Sequence, residues 1–198
     1  PVSGNQWFGN GSTLTQYSPY GRYSGGNGPN TAYDFAPKVG LAGTVPIVRG
    51  DTPAYVYGHA GYLAAGIAGQ ANGTPDAKVA SGWEEAYVGI VGGGATAAGT
   101  SWQYNLSYGL QNYCIGGGML LCQIASSSGE RAGDFTWPRW SGRNFLKAQF
   151  RLNNTKVDGF HFEPNDFPNS HTRIAGVNLQ YDRGYGTALG VTWLAVVA

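Results

Sequence analysis

The sequence predicts an all-β protein of antiparallel up-and-down strands, and three observations support this class. Bulky residues alternate with small or polar ones in segment after segment, and a period of two is typical of strands. Clusters of turn-forming residues separate the segments, in a chain with 33 Gly and 14% aromatic residues. Charged residues make up only 12% of the chain, against roughly 25% in soluble domains.

Residues 101–111 show the alternation most clearly, because Trp102 and Leu106 share one face while Gln103 and Asn105 share the other. The same alternation places Tyr57 on the bulky face of its segment. The strand prediction for residues 12–22 is the weakest, because Pro19 interrupts that segment. The other predicted strands cover residues 12–22, 31–47, 54–68, 83–91, 144–152, 155–163, 172–182 and 187–197.

Shorter and longer connections alternate along most of the chain. Asn153 and Asn154 alone join two strands, whereas residues 112–143 form the longest connection. Outer-membrane barrels show this asymmetry, with short turns at one rim and long loops at the other. The long connection either folds inward and narrows a pore or forms a solvated external loop.

The face opposite the bulky residues is poor in charge, which favours a membrane sheet over a soluble one. It carries mainly Gly, Ala, Ser, Thr, Asn and Gln, as where Asn178 lies between Val177 and Leu179. A soluble sheet would expose many charged side chains there. We therefore expect residues 1–198 to form one transmembrane antiparallel up-and-down β-barrel domain, or about half of a larger barrel, with about eight or nine strands.

A Lys or Arg that faces lipid at mid-depth costs about 2–4 kcal/mol, so charged strand residues are expected to line a wet interior. Asp158 receives no assignment, because Phe160 and Phe162 share its face and are expected on the bulky face or near strand ends. The cations predicted in the interior outnumber the acids, which predicts a mild preference for anions. The predicted pore-lining residues are Lys38, Glu85, Gln103, Asn105, Gln111, Lys147, Gln149, Arg151, Asn178 and Gln180.

Cys114 and Cys122 are the two cysteines of the chain and lie symmetrically about Gly118. A hairpin there would bring them to about 5.5 Å, within reach of a disulfide. The alternative is a pair of free, partly buried thiols.

Several function classes lack support. No catalytic constellation, cofactor motif or metal-spaced cluster is present, since His59, His161 and His171 are scattered. A net charge of +1 and the absence of basic runs argue against nucleic acid as a partner. No run of about 18 apolar residues could form a membrane helix. The chain opens PVSGNQWFGNGS, so we expect a removed signal peptide or a piece of a longer chain.

Four blocks of the chain carry a resemblance to a known family. They are WEEAYVGI at 83–90, LSYGLQNYCIGGGML at 106–120, RNFLKAQFRLNNTKVDGFHFEPND at 143–166 and TRIAGVNLQYDRGYGTALGVTWLAVV at 172–197. In this order they resemble consecutive strands of alginate-export-type outer-membrane porins. The resemblance implies a channel in the lipid bilayer of the bacterial outer membrane, without enzymatic activity, for passive transport or export of small or polymeric acidic carbohydrates.

Two other hypotheses stay open. One is a secreted, soluble β-sandwich that binds carbohydrate on Trp and Tyr platforms. The other is a small structural outer-membrane barrel without a pore.

Overall fold

The computed structural model describes residues 32–69, 78–115, 142–165, 171–184 and 187–197, which form nine strands and no helix. The strands are β1 (Ala32–Phe35), β2 (Lys38–Val48), β3 (Ala54–Gly69), β4 (Lys78–Ala95), β5 (Ser101–Gln111), β6 (Gly142–Leu152), β7 (Thr155–Glu163), β8 (Arg173–Gly184) and β9 (Thr187–Val197). They lie in one open antiparallel sheet in the order β1-β3-β4-β5-β6-β7-β8-β9, and β2 also pairs with β3. This confirms the predicted all-β, up-and-down class.

The described residues divide into two compact units. The first contains β1 together with the end of β3 from Leu63 and the start of β4 up to Gly82. Here β1 pairs with β3, so that Ala32 lies opposite Gly69. The second unit contains nearly all of β2, the remaining parts of β3 and β4, and β5 to β9. The strands β5 to β9 lie entirely in this second unit.

The prediction of a single strand over residues 31–47 is wrong, because β1 and β2 are separate strands. Pro37 lies in the break and has no N–H for a ladder hydrogen bond. Its carbonyl oxygen instead accepts a 3.0 Å hydrogen bond from the backbone N–H of Ala64. The predicted strand at 12–22 lies outside the described residues.

The two faces of β5 to β9 differ sharply in chemistry. Leu106 lies opposite Ala148 on one face, whereas Asn105 lies opposite Gln149 on the other. The apolar face comprises Trp102, Tyr104, Leu106, Tyr108, Leu146, Phe150, Leu152, Val157, Val177, Leu179, Leu189, Val191 and Trp193. The polar face comprises Gln103, Asn105, Ser107, Lys147, Gln149, Arg151, Lys156, Asp158, Phe160, Asn178, Gln180 and Thr192.

Burial on these faces is the reverse of that in a water-soluble sheet. Leu179 and Val191 on the apolar face are 48% and 74% exposed. Asn178 and Asp158 on the polar face are 3% and 0% exposed. Bulky apolar side chains thus point away from the protein, and the hydrogen-bonding side chains at the centre of the polar face are covered by it. Among the described residues, no helix is long and apolar enough to cross a membrane.

An aromatic cluster covers one end of the polar face. It consists of Tyr113, Ile115, Phe145, Phe160 and Phe162, each no more than 6% exposed, with Phe145 and Phe162 stacked at 4.8 Å between ring centroids. Of the two places predicted for Phe160 and Phe162, the bulky face is wrong, whereas Phe162 does lie near the end of β7. They share the polar side of β7 with Asp158, and they are covered by Tyr113 and Phe145 instead of lipid.

Candidate functional site

One row of polar side chains runs across β5 to β9, at right angles to the strands. The Asn105 amide donates to Gln149 Oε1 at 3.3 Å, and the Gln149 amide donates to Asp158 Oδ1 at 2.9 Å. From the other side, Thr192 donates to Asn178 Oδ1 at 2.8 Å, and the Asn178 amide donates to Asp158 Oδ2 at 3.3 Å. These five residues, which occupy directly opposite positions on successive strands, are called the polar row below.

Asp158 is the acceptor on which the polar row converges. In addition to the Gln149 and Asn178 amides, the Tyr113 hydroxyl donates a 3.0 Å hydrogen bond to the carboxylate, at Oδ2. The same oxygen lies 3.0 Å from Lys156 Nζ. An ionised carboxylate accepts through both oxygens, so four partners can be satisfied at once. Asp158 has no exposed surface, and a charge buried so completely is stable only when it is paired and hydrogen-bonded. The residue that sequence reasoning left unassigned is therefore the centre of this face.

The row continues beyond β5 because Tyr57 reaches across β4. Its hydroxyl donates a 2.6 Å hydrogen bond to Asn105 Oδ1. A Cβ at Gly89 would lie only 2.5 Å from the Tyr57 ring, so the missing side chain on β4 makes the passage possible. The Tyr57 ring also meets Tyr87 edge-on, at 6.1 Å. The bulky face predicted for Tyr57 is wrong, since its hydroxyl belongs to the polar side.

Residues 112–115, called the strap below, fold from the end of β5 over the polar face. Asn112 donates to Glu85 Oε1 at 3.4 Å, and Tyr113 donates to Asp158. Cys114 is disulfide-bonded, and Ile115 is 3% exposed within the aromatic cluster. Four consecutive residues thus have four different anchors. The long connection thus begins by folding over the polar face, and residues 116–141 lie outside the described part.

Tyr113 is held in its neutral form by its surroundings. The ring lies 5.6 Å from Phe145 and 5.0 Å from Phe160 between centroids. Burial raises the pKa of the phenol well above its ordinary value, and the nearby negative charge and hydrogen bond of Asp158 raise that pKa further. The hydroxyl therefore acts as a fixed donor throughout the physiological pH range.

Two of the three cations on the polar face of β6 and β7 have an acidic partner. Arg151 lies 3.8 Å from Asp182, with both side chains more than 40% exposed, and Lys156 pairs with Asp158. Lys147 makes no hydrogen bond or ion pair with any residue in the described ranges. The predicted excess of positive charge is therefore smaller than the sequence suggested, and it is concentrated at Lys147.

The structure brings most of the predicted lining residues to one face. Gln103, Asn105, Lys147, Gln149, Arg151, Asn178 and Gln180 share the polar face of β5, β6 and β8. Gln111, 2% exposed, is fixed by Ser107 Oγ at 2.9 Å and by the Phe145 carbonyl at 3.1 Å. Glu85 lies 3.3 Å from His59 Nε2, whose ring stacks on Tyr87 at 5.6 Å.

Lys38 and the predicted cysteine pair do not belong to the group of predicted lining residues on the polar face. Lys38 is exposed and belongs to the first unit, so it is not grouped with the other lining residues. Of the predicted cysteine pair, Cys114 is disulfide-bonded, and Cys122 lies outside the described residues.

Besides Asp158 and Phe160, four contributors to the polar face were not predicted from the sequence: Tyr57, Tyr113, Lys156 and Asp182. Lys156 and Asp182 lie directly across from Gln180 and Ala188, so pairing register could have identified their face. Tyr57 and Tyr113 had no such signal, because an aromatic residue fits either face.

No group of three or more His, Cys, Asp or Glu within the described ranges is arranged to hold a metal ion. Comparisons with protein-family models, curated proteins and solved structures each found no match.

Proposed function

We propose that this chain forms part or all of a β-barrel channel in the bacterial outer membrane. The observation that carries the proposal is the reversed burial of the two faces, with Leu179 at 48% exposed and its neighbour Asn178 at 3%. In water, such a contiguous apolar surface would promote aggregation. In a bilayer it meets hydrocarbon, and the antiparallel ladder satisfies the backbone groups internally.

Aromatic residues on the apolar face support membrane contact. Trp193 and Tyr181 are 63% and 49% exposed. Tyr and Trp are favoured at membrane interfaces, because the ring is apolar and the OH or N–H is polar. Tyr181 lies near the end of β8, at the depth expected for an interfacial residue.

The chemistry of the polar face supports passage of polar solutes along it. Hydroxyl, amide, cationic and acidic groups line it, and the exposed pair of Arg151 and Asp182 lies at the end opposite the aromatic cluster. Such a lining suits hydroxylated solutes, and the resemblance to alginate-export-type porins suggests small or polymeric acidic carbohydrates. Selectivity would follow from the lining charges and the bore.

Purification and conductance test this function together. The folded protein should require detergent, should migrate differently in gels before and after boiling, and should produce stepwise conductance in planar bilayers. A protein that is monodisperse in plain buffer would contradict membrane insertion. A heat-modifiable, inserted protein without conductance would indicate the structural barrel instead of a channel.

Carbohydrate binding is a second candidate, favoured by a cleft of about 460 Å³ beside Trp83. The Trp83 ring is 54% exposed and meets Tyr62 edge-on at 5.3 Å, while Arg143 and Glu163 supply polar groups to the same cleft. Saccharide binding should quench tryptophan fluorescence in the parent protein and not in Trp83→Phe. If this quenching occurs in detergent-free, monodisperse protein, the soluble binding module replaces the channel.

A further inference from the structure

We propose that Lys147 is the binding position for the anionic group of the transported solute, a carboxylate, and that neither Arg151 nor Lys156 serves this purpose. The inference rests on the proposed channel and names the residue that would give it anion preference. It follows from the pairing of charges on the polar face of β6, β7 and β8.

Cations outnumber acids by one on this face. Three cations, Lys147, Arg151 and Lys156, accompany two acids, Asp158 and Asp182. Each acid already has a cation within 4 Å, which leaves one positive charge over. Within the described residues Lys147 has no hydrogen-bonding or ion-pairing partner, so the unbalanced charge is located at its ammonium group.

Lys147 lies in a part of the polar face that has little contact with water. It lies directly between Ser107 on β5 and Phe160 on β7, and it is two residues along β6 from Gln149 of the polar row. Ser107 and Phe160 are 2% and 6% exposed, so this stretch of the face is screened from bulk water. An ammonium in such a place is stabilised strongly by an anion, because the local dielectric constant is lower than that of water.

The neighbouring acid, Asp158, cannot supply that anion. Both Asp158 oxygens are occupied by contacts of 2.9 to 3.3 Å to Gln149, Tyr113, Asn178 and Lys156. An external carboxylate can accept from the three N–H donors of Lys147 without disturbing those bonds.

Ion selectivity provides the first test. Lys147→Met should lower the anion-to-cation permeability ratio of the channel in a salt gradient at least about fivefold, because one charge at contact distance has about this effect even in water. The matched variant Arg151→Met removes the same charge from a paired and more exposed position, and it should change the ratio less than twofold. Lys147→Arg should retain the ratio. Equal effects of the two Met variants, or no effect of Lys147→Met, would overturn the inference.

Chemical labelling provides a second test that does not require conductance. In the folded, detergent-solubilised protein, gluconate should slow modification of Lys147 by an amine-reactive reagent, as measured by mass spectrometry. Sorbitol, a neutral polyol of the same size, should not slow it, and the exposed Lys38 should react equally in both solutions.

The two tests separate the two proposals. Protection of Lys147 in a protein that does not conduct would remove the channel and retain the anion site. Conductance without protection by gluconate would retain the channel and remove the anion site.

Discussion

The hydroxyl of Tyr113 donates a 3.0 Å hydrogen bond to Asp158, which lies 45 residues further along the chain and has no exposed surface. This bond joins the strap to the centre of the polar row. It therefore links the first residues of the longest connection to the strands that carry the polar face.

Loss of the Asp158 carboxylate should be strongly destabilising. Asp158→Ala leaves Lys156 without its counter-ion and three donors without an acceptor in a buried site, so the free energy of unfolding should fall by about 3–5 kcal/mol. Denaturant unfolding in detergent micelles measures this. Asp182→Ala removes an acid from a 43% exposed ion pair, and it should cost less than about 1 kcal/mol. Similar losses in both variants would show that convergence on Asp158 is unimportant.

Tyr113→Phe should lower stability by about 1.5–3 kcal/mol, because it removes a hydrogen bond to a charged acceptor and retains the ring packing. The raised pKa of Tyr113 gives the effect a pH dependence. Folding favours the protonated phenol, so its contribution is complete below the ordinary pKa of 10.0 and decreases as the pH rises above that value. The difference in unfolding free energy between parent and variant should therefore stay constant up to about pH 9 and narrow as the pH rises above about 10. A gap that widens would contradict this assignment.

Gly89→Ala should displace Tyr57 from its path over β4. The added Cβ would lie 2.5 Å from the Tyr57 ring, and forced repacking of this kind costs about 1–3 kcal/mol. Gly43→Ala is the matched control, because a Cβ at Gly43 meets nothing within 4 Å. If the clash with Tyr57 is the cause, Gly89→Ala should cost much less in a Tyr57→Ala background. Unfolding in detergent of Gly89→Ala, Tyr57→Ala, the double variant and Gly43→Ala would show whether positions 57 and 89 are coupled.

Charge substitutions on the apolar face should depend on depth if that face contacts lipid. Leu106, midway along β5, is 48% exposed, so in water Leu106→Lys would be nearly neutral. In a bilayer it should cost about 2–4 kcal/mol, whereas Leu152→Lys at the end of β6 should cost at most about 1 kcal/mol. Unfolding from lipid vesicles measures both values. Equal losses of unfolding free energy in Leu106→Lys and Leu152→Lys would argue against membrane contact.

Sequence patterns predicted the strands well wherever bulky and polar residues alternate without exception. In β5, Leu106 and Asn105 were assigned to opposite faces, and the cross-strand pairs with Ala148 and Gln149 agree. The split between β1 and β2 was missed, although Pro37 was a visible reason for it.

The centre of the site was harder to predict, because it depends on contacts between strands. Asp158 alternates with Val157 as a polar-face residue should, yet Phe160 on the same face concealed the pattern. That face is partly polar and partly aromatic because the strap covers one end of it. The path of Tyr57 depends on Gly89 of the neighbouring strand, and no single segment contains both residues.

The polar row also bears on how the strands avoid sliding past one another. A shift of two residues between neighbouring strands would keep every side chain on its original face, so alternation alone cannot prevent it. Such a shift between β6 and β7 would move Asp158 away from Gln149 and place Lys156 or Phe160 opposite that amide. A buried amide without a partner would then penalise the slipped pairing. The row thus selects one alignment among several that the pattern of faces would permit.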